Sequence, residues 1–558
     1  MNKNRKKIGT KGVLLRLLGY MAKYWYLFVL AIGLTLFSNQ LALLGPKYSG
    51  EAIDALSGKG GVNFVLVKEN VVKMLFCYVF SAIMSYALAV LMVKISQKIV
   101  YTMRKQLFEK LTTLPLKYFD STATGDIISR ISYDIDTLNA SLSHDLVQIM
   151  TSVYTVVGSL IFMWNISKPM ILIFTVTVPA SILFTRFRSK KVRPLFQMRS
   201  RKLGELNGYA EEMLSGCYSI HAYHREEEIE NRFNQRNTDA MDTYYEAEKN
   251  ALVMGPSMNF INNVSIALIM VVGGILYMYS QSGVVAEGSL FFISLGGIAQ
   301  FVQYSRKFAG PINEFANIMH EFQSAFSAAE RIFGILDEEP EKVDNDNAAD
   351  LSDIRGEVKF EDVVFGYIPE KEILHGISVT AKPGRTIAIV GPTGAGKTTI
   401  INLLMRFYDA NSGKISVDGH PIESLKRSSL REAYTMVLQD TWLFNGTIFE
   451  NIAYGREDAT LEEVIEVAKA AKIHSFIEHL PEGYDTVLSD DGINISKGQK
   501  QLITIARAML SKAPLLILDE ATSNVDSRTE IKIQKAMAEL MKGRTSFIIA
   551  HRLSNIRN

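Results

Sequence analysis

The sequence predicts an α-helical membrane domain of six spans joined to a C-terminal soluble α/β domain, and three observations carry that prediction. Long windows before residue 310 are almost free of charge, whereas residues 337–558 hold an ordinary mixture of charged and apolar side chains. Residues 391–398 read Gly-Pro-Thr-Gly-Ala-Gly-Lys-Thr. A β-branched apolar run, 385–390, precedes them and a stretch with helical apolar spacing, 399–405, follows. Strand, glycine-rich loop and helix in that order are the setting of a phosphate-binding loop.

At 558 residues the chain is too long for one ordinary core, and a formal charge of +2 calls for no nucleic-acid partner. Cys77 and Cys217 are the only cysteines, one in an apolar run and one in a polar helical stretch. Neither a disulfide framework nor a metal knuckle is expected from them.

The start is basic, with Lys3, Arg5, Lys6, Lys7 and Lys11, and then interleaves Val13, Leu14, Leu17, Leu18 and Met21 with Arg16 and Lys23. This predicts a short helix lying in the membrane surface. It is not a signal peptide, because no small-residue cleavage pattern closes the long apolar stretch that follows. Windows near residues 25–44, 71–94, 146–166, 169–187, 256–279 and 289–309 give six expected spans. Each supplies the roughly 20 residues that a bilayer requires.

Connections 165–168 and 280–288 are short and nearly free of basic residues, and 45–70 balances Lys47, Lys59 and Lys68 with Glu51, Asp54 and Glu69. Connections 95–145 and 188–250 instead carry Lys98, Arg104, Lys105, Arg130, Lys190 and Arg193 among others. The positive-inside rule therefore puts both termini and both long loops in the cytoplasm. Residues 96–114 and 198–250 keep helical apolar spacing amid charge, so the spanning helices are expected to continue beyond the membrane.

Polar residues within the spans are mostly neutral, among them the amides Asn39, Gln40, Asn259, Asn262, Asn263, Gln300 and Gln303. No charged residue sits near an expected midplane, which argues against a proton relay or an ion filter. The amides either bond helix to helix or line a path for bulky amphipathic or apolar cargo. Residues 337–356 are acidic, contain Pro340 and read as a linker between a membrane domain, 1–336, and a soluble domain, 357–558.

Short strands such as 357–365 and 414–418 alternate with helices in the soluble domain. In the phosphate loop, Gly391, Gly394 and Gly396, with Pro392, Thr393 and Ala395 between them, let successive backbone N–H groups curl round phosphate oxygens. Lys397 adds a point charge, Thr398 a hydroxyl for Mg²⁺, and Thr399 continues into a helix whose positive end faces the anion. Leu515, Leu516, Ile517 and Leu518 form a buried strand ending in Asp519 and Glu520. The first carboxylate is placed to hold Mg²⁺ and the second to orient an attacking water.

With these residues goes a series of separated motifs: Tyr367 in Phe-Gly-Tyr, Gln439 in Val-Leu-Gln-Asp, Ser496-Lys497-Gly498-Gln499, Asp526 in Ser-Asn-Val-Asp, and His551 in Ile-Ala-His-Arg-Leu. Across essentially its whole length the chain resembles a half-transporter of the ATP-binding cassette exporters, of the type I, six-helix kind. The resemblance implies that Tyr367 stacks on adenine, that Gln439 links Mg²⁺ to the membrane domain, and that Ser496, Gly498 and Gln499 form the signature. It also implies that Asp526 lies in the following aspartate loop and that His551 senses the γ-phosphate. Residues 124–130 and 216–221 match the turns that sit on the cassettes. One phosphate loop and six spans make half a machine, so the resemblance implies a dimer that clamps ATP between the phosphate loop of one cassette and the signature of the other. The expected function is ATP-driven export of hydrophobic or amphipathic substrates (drugs, lipids or peptides) across the plasma membrane, with the N-terminus and the ATPase domain cytoplasmic.

Two departures sharpen these expectations. The family's Leu-Ser-Gly-Gly-Gln is here Ile495-Ser496-Lys497-Gly498-Gln499, preceded by Asp490-Asp491-Gly492. A lysine side chain where a backbone must approach phosphate is expected to weaken the signature. That pattern resembles one subunit of the heterodimeric multidrug-type exporters, the alternative being a homodimeric lipid or drug flippase. The chain stops at Asn558, soon after His551, where related cassettes continue, so a truncated second domain is expected. A soluble cassette ATPase is excluded by the apolar windows, an importer is disfavoured because it divides these parts between chains, and Glu520 argues against an ATP-gated regulator that does not transport.

Overall fold

A computed structural model describes residues 10–57, 61–282, 289–368, 371–392, 394–439, 441–488, 495–519 and 526–549, excepting the side chains of 312–317. The expected site residues Thr393, Glu520 and His551 lie outside the described residues. The chain divides into two compact units, one of residues 1–112 and 124–338, the other of residues 113–123 and 339–558.

The first unit is helical: α1 (Thr10–Ala22), α2 (Trp25–Leu56), α3 (Phe64–Thr112), then, after the helix α4 (Leu116–Ser121) that groups with the second unit, α5 (Thr124–Ile166), α6 (Lys168–Ser215), α7 (Cys217–Ala222), α8 (Glu226–Gln281) and α9 (Leu295–Leu336). Among the described residues α2, α3, α5, α6 and α8 are long and apolar enough to cross a membrane. α9 holds residues 295–309 of the sixth expected window but is not among them, since Gln300, Gln303, Arg306 and Lys307 dilute its apolar stretch. On α3, Leu75, Phe76, Val79, Ile83, Tyr86 and Val93 are exposed, an apolar surface suited to hydrocarbon rather than water.

The core of this unit gathers Leu43, Met163, Met170, Phe174, Ile269, Phe301 and Tyr304. Small residues bring α2 and α9 together: a Cβ on Gly296 would lie 2.0 Å from the Gly50 carbonyl oxygen, and one on Gly50 would lie 2.2 Å from the Gln300 side chain. Backbone approach of this kind is how membrane helices gain packing without a hydrophobic drive. Asp54 accepts from the Ser294 hydroxyl and from the Gly296 N–H, both at 2.7 Å, and so holds the start of α9. Tyr304 donates to the Leu43 carbonyl at 2.6 Å.

Several expected polar span residues bond between helices. Tyr154 donates to Gln40 at 2.6 Å, Gln303 to Ser49 at 3.1 Å and Thr155 to Asn39 at 3.4 Å. Asn262 instead lines a small pocket of about 30 Å³ with Phe174, Thr177, Met258, Ser265 and Phe308.

The second unit holds an antiparallel sheet in the order β2-β1-β4-β5, made of β1 (Val358–Phe365), β2 (Leu374–Ala381), β4 (Ser412–Val417) and β5 (His420–Pro421). A parallel sheet follows the order β3-β10-β9-β6, made of β3 (Thr386–Ile389), β6 (Tyr434–Val437), β9 (Leu515–Asp519) and β10 (Thr545–Ile549). β7 (Gly446–Thr447) and β8 (Val487–Leu488) form a short pair. Leu515, Leu516, Ile517 and Leu518 are all buried, as a central parallel strand covered on both faces should be.

Within the acidic stretch 337–356, carboxylates meet basic groups some 80 residues later. Asp344 accepts from the Arg427 backbone at 2.8 Å and its guanidinium at 2.7 Å, and Glu341 pairs with Arg431. The N–H groups of Arg355, Gly356 and Glu357 all donate to Asp418. The segment of 95–145 that joins the second unit is not 124–130, which begins α5, but the stretch just before it. Pro115, in extended conformation, starts α4 three residues after α3 ends, and Leu114 and Tyr118 are buried. The other expected turn, 216–221, coincides with α7, which has no buried residue and leaves Tyr218 94% exposed.

Candidate functional site

The register of the parallel sheet places the ends of its strands together. Ile549 lies opposite both Ile389 and Asp519, and Leu518 lies opposite Val437. The phosphate loop after β3, Asp519 at the end of β9 and Gln439 two residues beyond β6 therefore leave the sheet at one carboxyl edge, where open α/β sheets bind ligands.

The loop closes on its own lysine. Lys397, the first residue of α10 (Lys397–Leu404), is 7% exposed, and its ammonium donates to the carbonyls of Gly391 at 2.8 Å and Pro392 at 3.2 Å. Those carbonyls are partners that a phosphate oxygen can replace with a full negative charge. Gly394 and Gly396 have φ of +85° and +87°, a backbone that side chains rarely adopt. Gly396 is also fixed by space, as a Cβ there would lie 2.9 Å from Ile373 Cγ2 and Leu374 Cδ2. No side chain caps α10, whose first N–H groups open on the same loop. Ala395 and the side chain of Thr398 are exposed at this face, whereas Thr399 is buried.

Tyr367 stands beside this helix. Its hydroxyl donates to Thr399 Oγ1 at 3.3 Å and accepts from Asn402 Nδ2 at 2.9 Å, and its ring is 37% exposed. The rings of Phe365 and Tyr408 meet it edge-on, each with centroids 5.0 Å away. Asn402, Phe365 and Tyr408 were not singled out by sequence reasoning. The aromatic run Phe407-Tyr408 directly after α10 was the available signal.

Ser496 caps α11 (Lys497–Leu510) in a reciprocal box, its hydroxyl accepting from Gln499 N at 3.3 Å and its own N–H donating to Gln499 Oε1 at 2.9 Å. Lys497 is the exposed first residue of that helix, where a side chain fits without strain, and Gly498 is buried. Asp526 caps α12 (Ser527–Met541) by accepting from Thr529 N at 2.9 Å, and those N–H bonds hold its carboxyl below the usual range. The two sets of residues are anchored apart: Ile495 and α11 pack into one core with Ile448, Val464 and Ile533, while α10 packs into another with Phe360, Phe365 and Phe547.

Residues 28–298 match the family model described as the ABC transporter transmembrane region, and residues 374–523 match the one described as ABC transporter. The chain belongs to the ABC transporters. This half-transporter is 42% identical to the uncharacterized ABC transporter ATP-binding protein YfiC of Bacillus subtilis (strain 168) over 556 residues, 100% of this chain and 90% of that protein. It is 44% identical over 510 residues, 90% of this chain and 79% of the other, to the fatty acid ABC transporter ATP-binding/permease protein of Mycobacterium tuberculosis (strain CDC 1551 / Oshkosh). The ATP-dependent lipid A-core flippase of Hahella chejuensis (strain KCTC 2396) is 33% identical, with 100% of this chain and 93% of the flippase covered. A bacterial Atm1-family ABC exporter with ATP bound superposes with a TM-score of 0.74 at 29% identity, covering 96% of this chain and 92% of that one. The half-transporter is thus an exporter with a helical transmembrane domain, an ABC ATPase domain and ATPase activity coupled to transport.

Proposed function

We propose that this half-transporter moves a lipid-like, hydrophobic or amphipathic substrate outward across the plasma membrane, as one half of a heterodimer that closes on ATP. The observation that supports the dimer is that α10, which follows the phosphate loop, and the signature helix α11 pack into different cores, which suits a nucleotide site whose halves come from two chains. Relatives named for fatty acid and for lipid A-core transport support a lipid-like cargo, as do the amides and aromatic rings of the membrane unit. The positive-inside pattern supports cytoplasmic placement of the cassette.

In this reading the backbone N–H groups of the loop and the Lys397 ammonium hold the β- and γ-phosphates, and Tyr367 supports adenine. Thr398, Gln439 and Asp519 share the edge that suits Mg²⁺, a hard cation that takes oxygen ligands and neutralises charge on the transferred phosphoryl. Glu520 polarises the water that attacks in line, and His551 fixes the γ-phosphate. Ser496, Gly498, Gln499 and Asp526 serve the nucleotide held by the partner. Lys497 weakens that second site, so the site built on this chain's phosphate loop carries turnover.

The test is purification of the chain alone and together with a second half-transporter. Cargo-stimulated ATPase only in the pair supports the heterodimer, and robust activity of the chain alone defeats it. Glu520→Gln in the active species should cut kcat by about 10²- to 10⁴-fold while ATP still binds, and unchanged efflux in inverted vesicles would favour passive gating.

A further inference from the structure

The helix α4 and the adenine-facing tyrosine are joined by one side chain that the nucleotide reading does not use. Tyr408 donates its hydroxyl to Asp120 Oδ2 on α4 at 2.6 Å, while its ring lies edge-on against Tyr367, centroids 5.0 Å apart and planes at 85°. Phe365 closes the triangle, 5.0 Å from Tyr367 and 5.8 Å from Tyr408. On its far side Tyr367 bonds Thr399 and Asn402 of α10, the helix that follows the phosphate loop. Asp120, Tyr408, Tyr367 and Thr399 thus form an unbroken series of contacts within the second unit.

We infer that Tyr408 is a positioning residue for nucleotide binding: its hydroxyl is tethered to α4 and its ring sets the orientation of Tyr367. Three features support this reading. Burial and the Asp120 carboxylate push the Tyr408 phenol up, so it stays protonated and remains a donor. α4 is itself anchored, through buried Leu114 and Tyr118 and through the Glu341 N–H donating to the Thr113 carbonyl at 2.8 Å. Edge-to-face ring pairs also have a directional preference, so a shift of one ring reorients its neighbour. The inference rests on the reading of Tyr367 as the adenine support.

The experiment uses the full-length protein, with its partner subunit if the active species has one, in lipid nanodiscs. KM for ATP and kcat are measured for Tyr408→Phe, Asp120→Asn, the double variant, Tyr367→Ala, and Tyr408→Phe in the Tyr367→Ala background. Loss of one charge-assisted bond should raise KM by about 3- to 10-fold. Tyr408→Phe is expected to show that rise and Asp120→Asn, whose amide oxygen still accepts from the phenol, a smaller one, both with kcat held within about twofold, and the double variant to be no worse than Tyr408→Phe. Tyr408→Phe should add nothing once Tyr367 is alanine. An unchanged KM in Tyr408→Phe overturns the inference. So does a rise that persists in the Tyr367→Ala background, or a fall in kcat and thermal midpoint with KM unmoved. If Tyr367→Ala itself leaves KM unaltered, the adenine reading fails and the relay with it. If Tyr367→Ala raises KM and Tyr408→Phe does not, the relay alone falls.

Discussion

Replacing Gly396 by alanine separates backbone strain from steric conflict in the phosphate loop. Its φ of +87° costs an L-residue about 1–2 kcal/mol. The new Cβ would also press to 2.9 Å on the methyls of Ile373 and Leu374 at the start of β2. If the loop relieves this by leaving its phosphate-holding shape, ATP affinity falls by about 5- to 30-fold, since 1.4 kcal/mol is a factor of ten. The comparison is Gly394→Ala, where φ is +85° but a Cβ meets nothing within 4 Å, so only the backbone cost applies. Titration of each purified variant with a fluorescent ATP analogue gives the affinity, and thermal unfolding without nucleotide gives the stability. Gly396→Ala should bind more weakly than wild type and unfold at a lower temperature than Gly394→Ala. Wild-type affinity in Gly396→Ala, or a reversed order of unfolding, would refute the argument.

Three further outcomes are expected. Arg427→Ala removes the guanidinium, on a side chain only 9% exposed, that bonds Asp344 at 2.7 Å, while Glu341 keeps Arg431, and should destabilise the second unit by about 2 kcal/mol, read as a lowered midpoint in denaturant or heat. Asp54→Ala removes the acceptor that holds Ser294 and Gly296, and should cost about 1–3 kcal/mol, measured as earlier thermal unfolding in detergent. Asp526 has a depressed folded pKa, so its cap contributes above the ordinary value of 3.8 and is lost as pH falls through the lower folded value. The stability gap between wild type and Asp526→Ala should therefore be full at neutral pH and narrow in acid, and a gap independent of pH down to pH ~3 would contradict the cap's charge.

What could be read in the sequence was local. The phosphate loop announces itself because glycines, lysine and threonine sit within eight residues, and the run 515–518 ends in Asp519 because a buried strand must surface somewhere. Remote pairing was illegible. The acidic residues 337–356 look like a solvated linker until Arg427 and Arg431 are folded onto them, some 80 residues later. Residues 124–130 were expected to be the junction because they match the family's turns, yet Pro115 precedes a separate short helix, and the segment around buried Leu114 and Tyr118 is the one that groups with the second unit. Tyr408 was passed over because an aromatic residue after a helix is ordinary until its two neighbours are known.

The meeting of α2 and α9 restricts how the membrane unit can rearrange. Gly50 and Gly296 leave no clearance for sliding, and the Asp54 carboxylate and Tyr304 hydroxyl pin the pair at two levels along its length. These two helices should consequently turn as a single lever during a transport cycle, with relative motion displaced to seams elsewhere in the bundle. A pair of spin labels placed on α2 and α9 would then keep a constant separation whichever way the cavity opens.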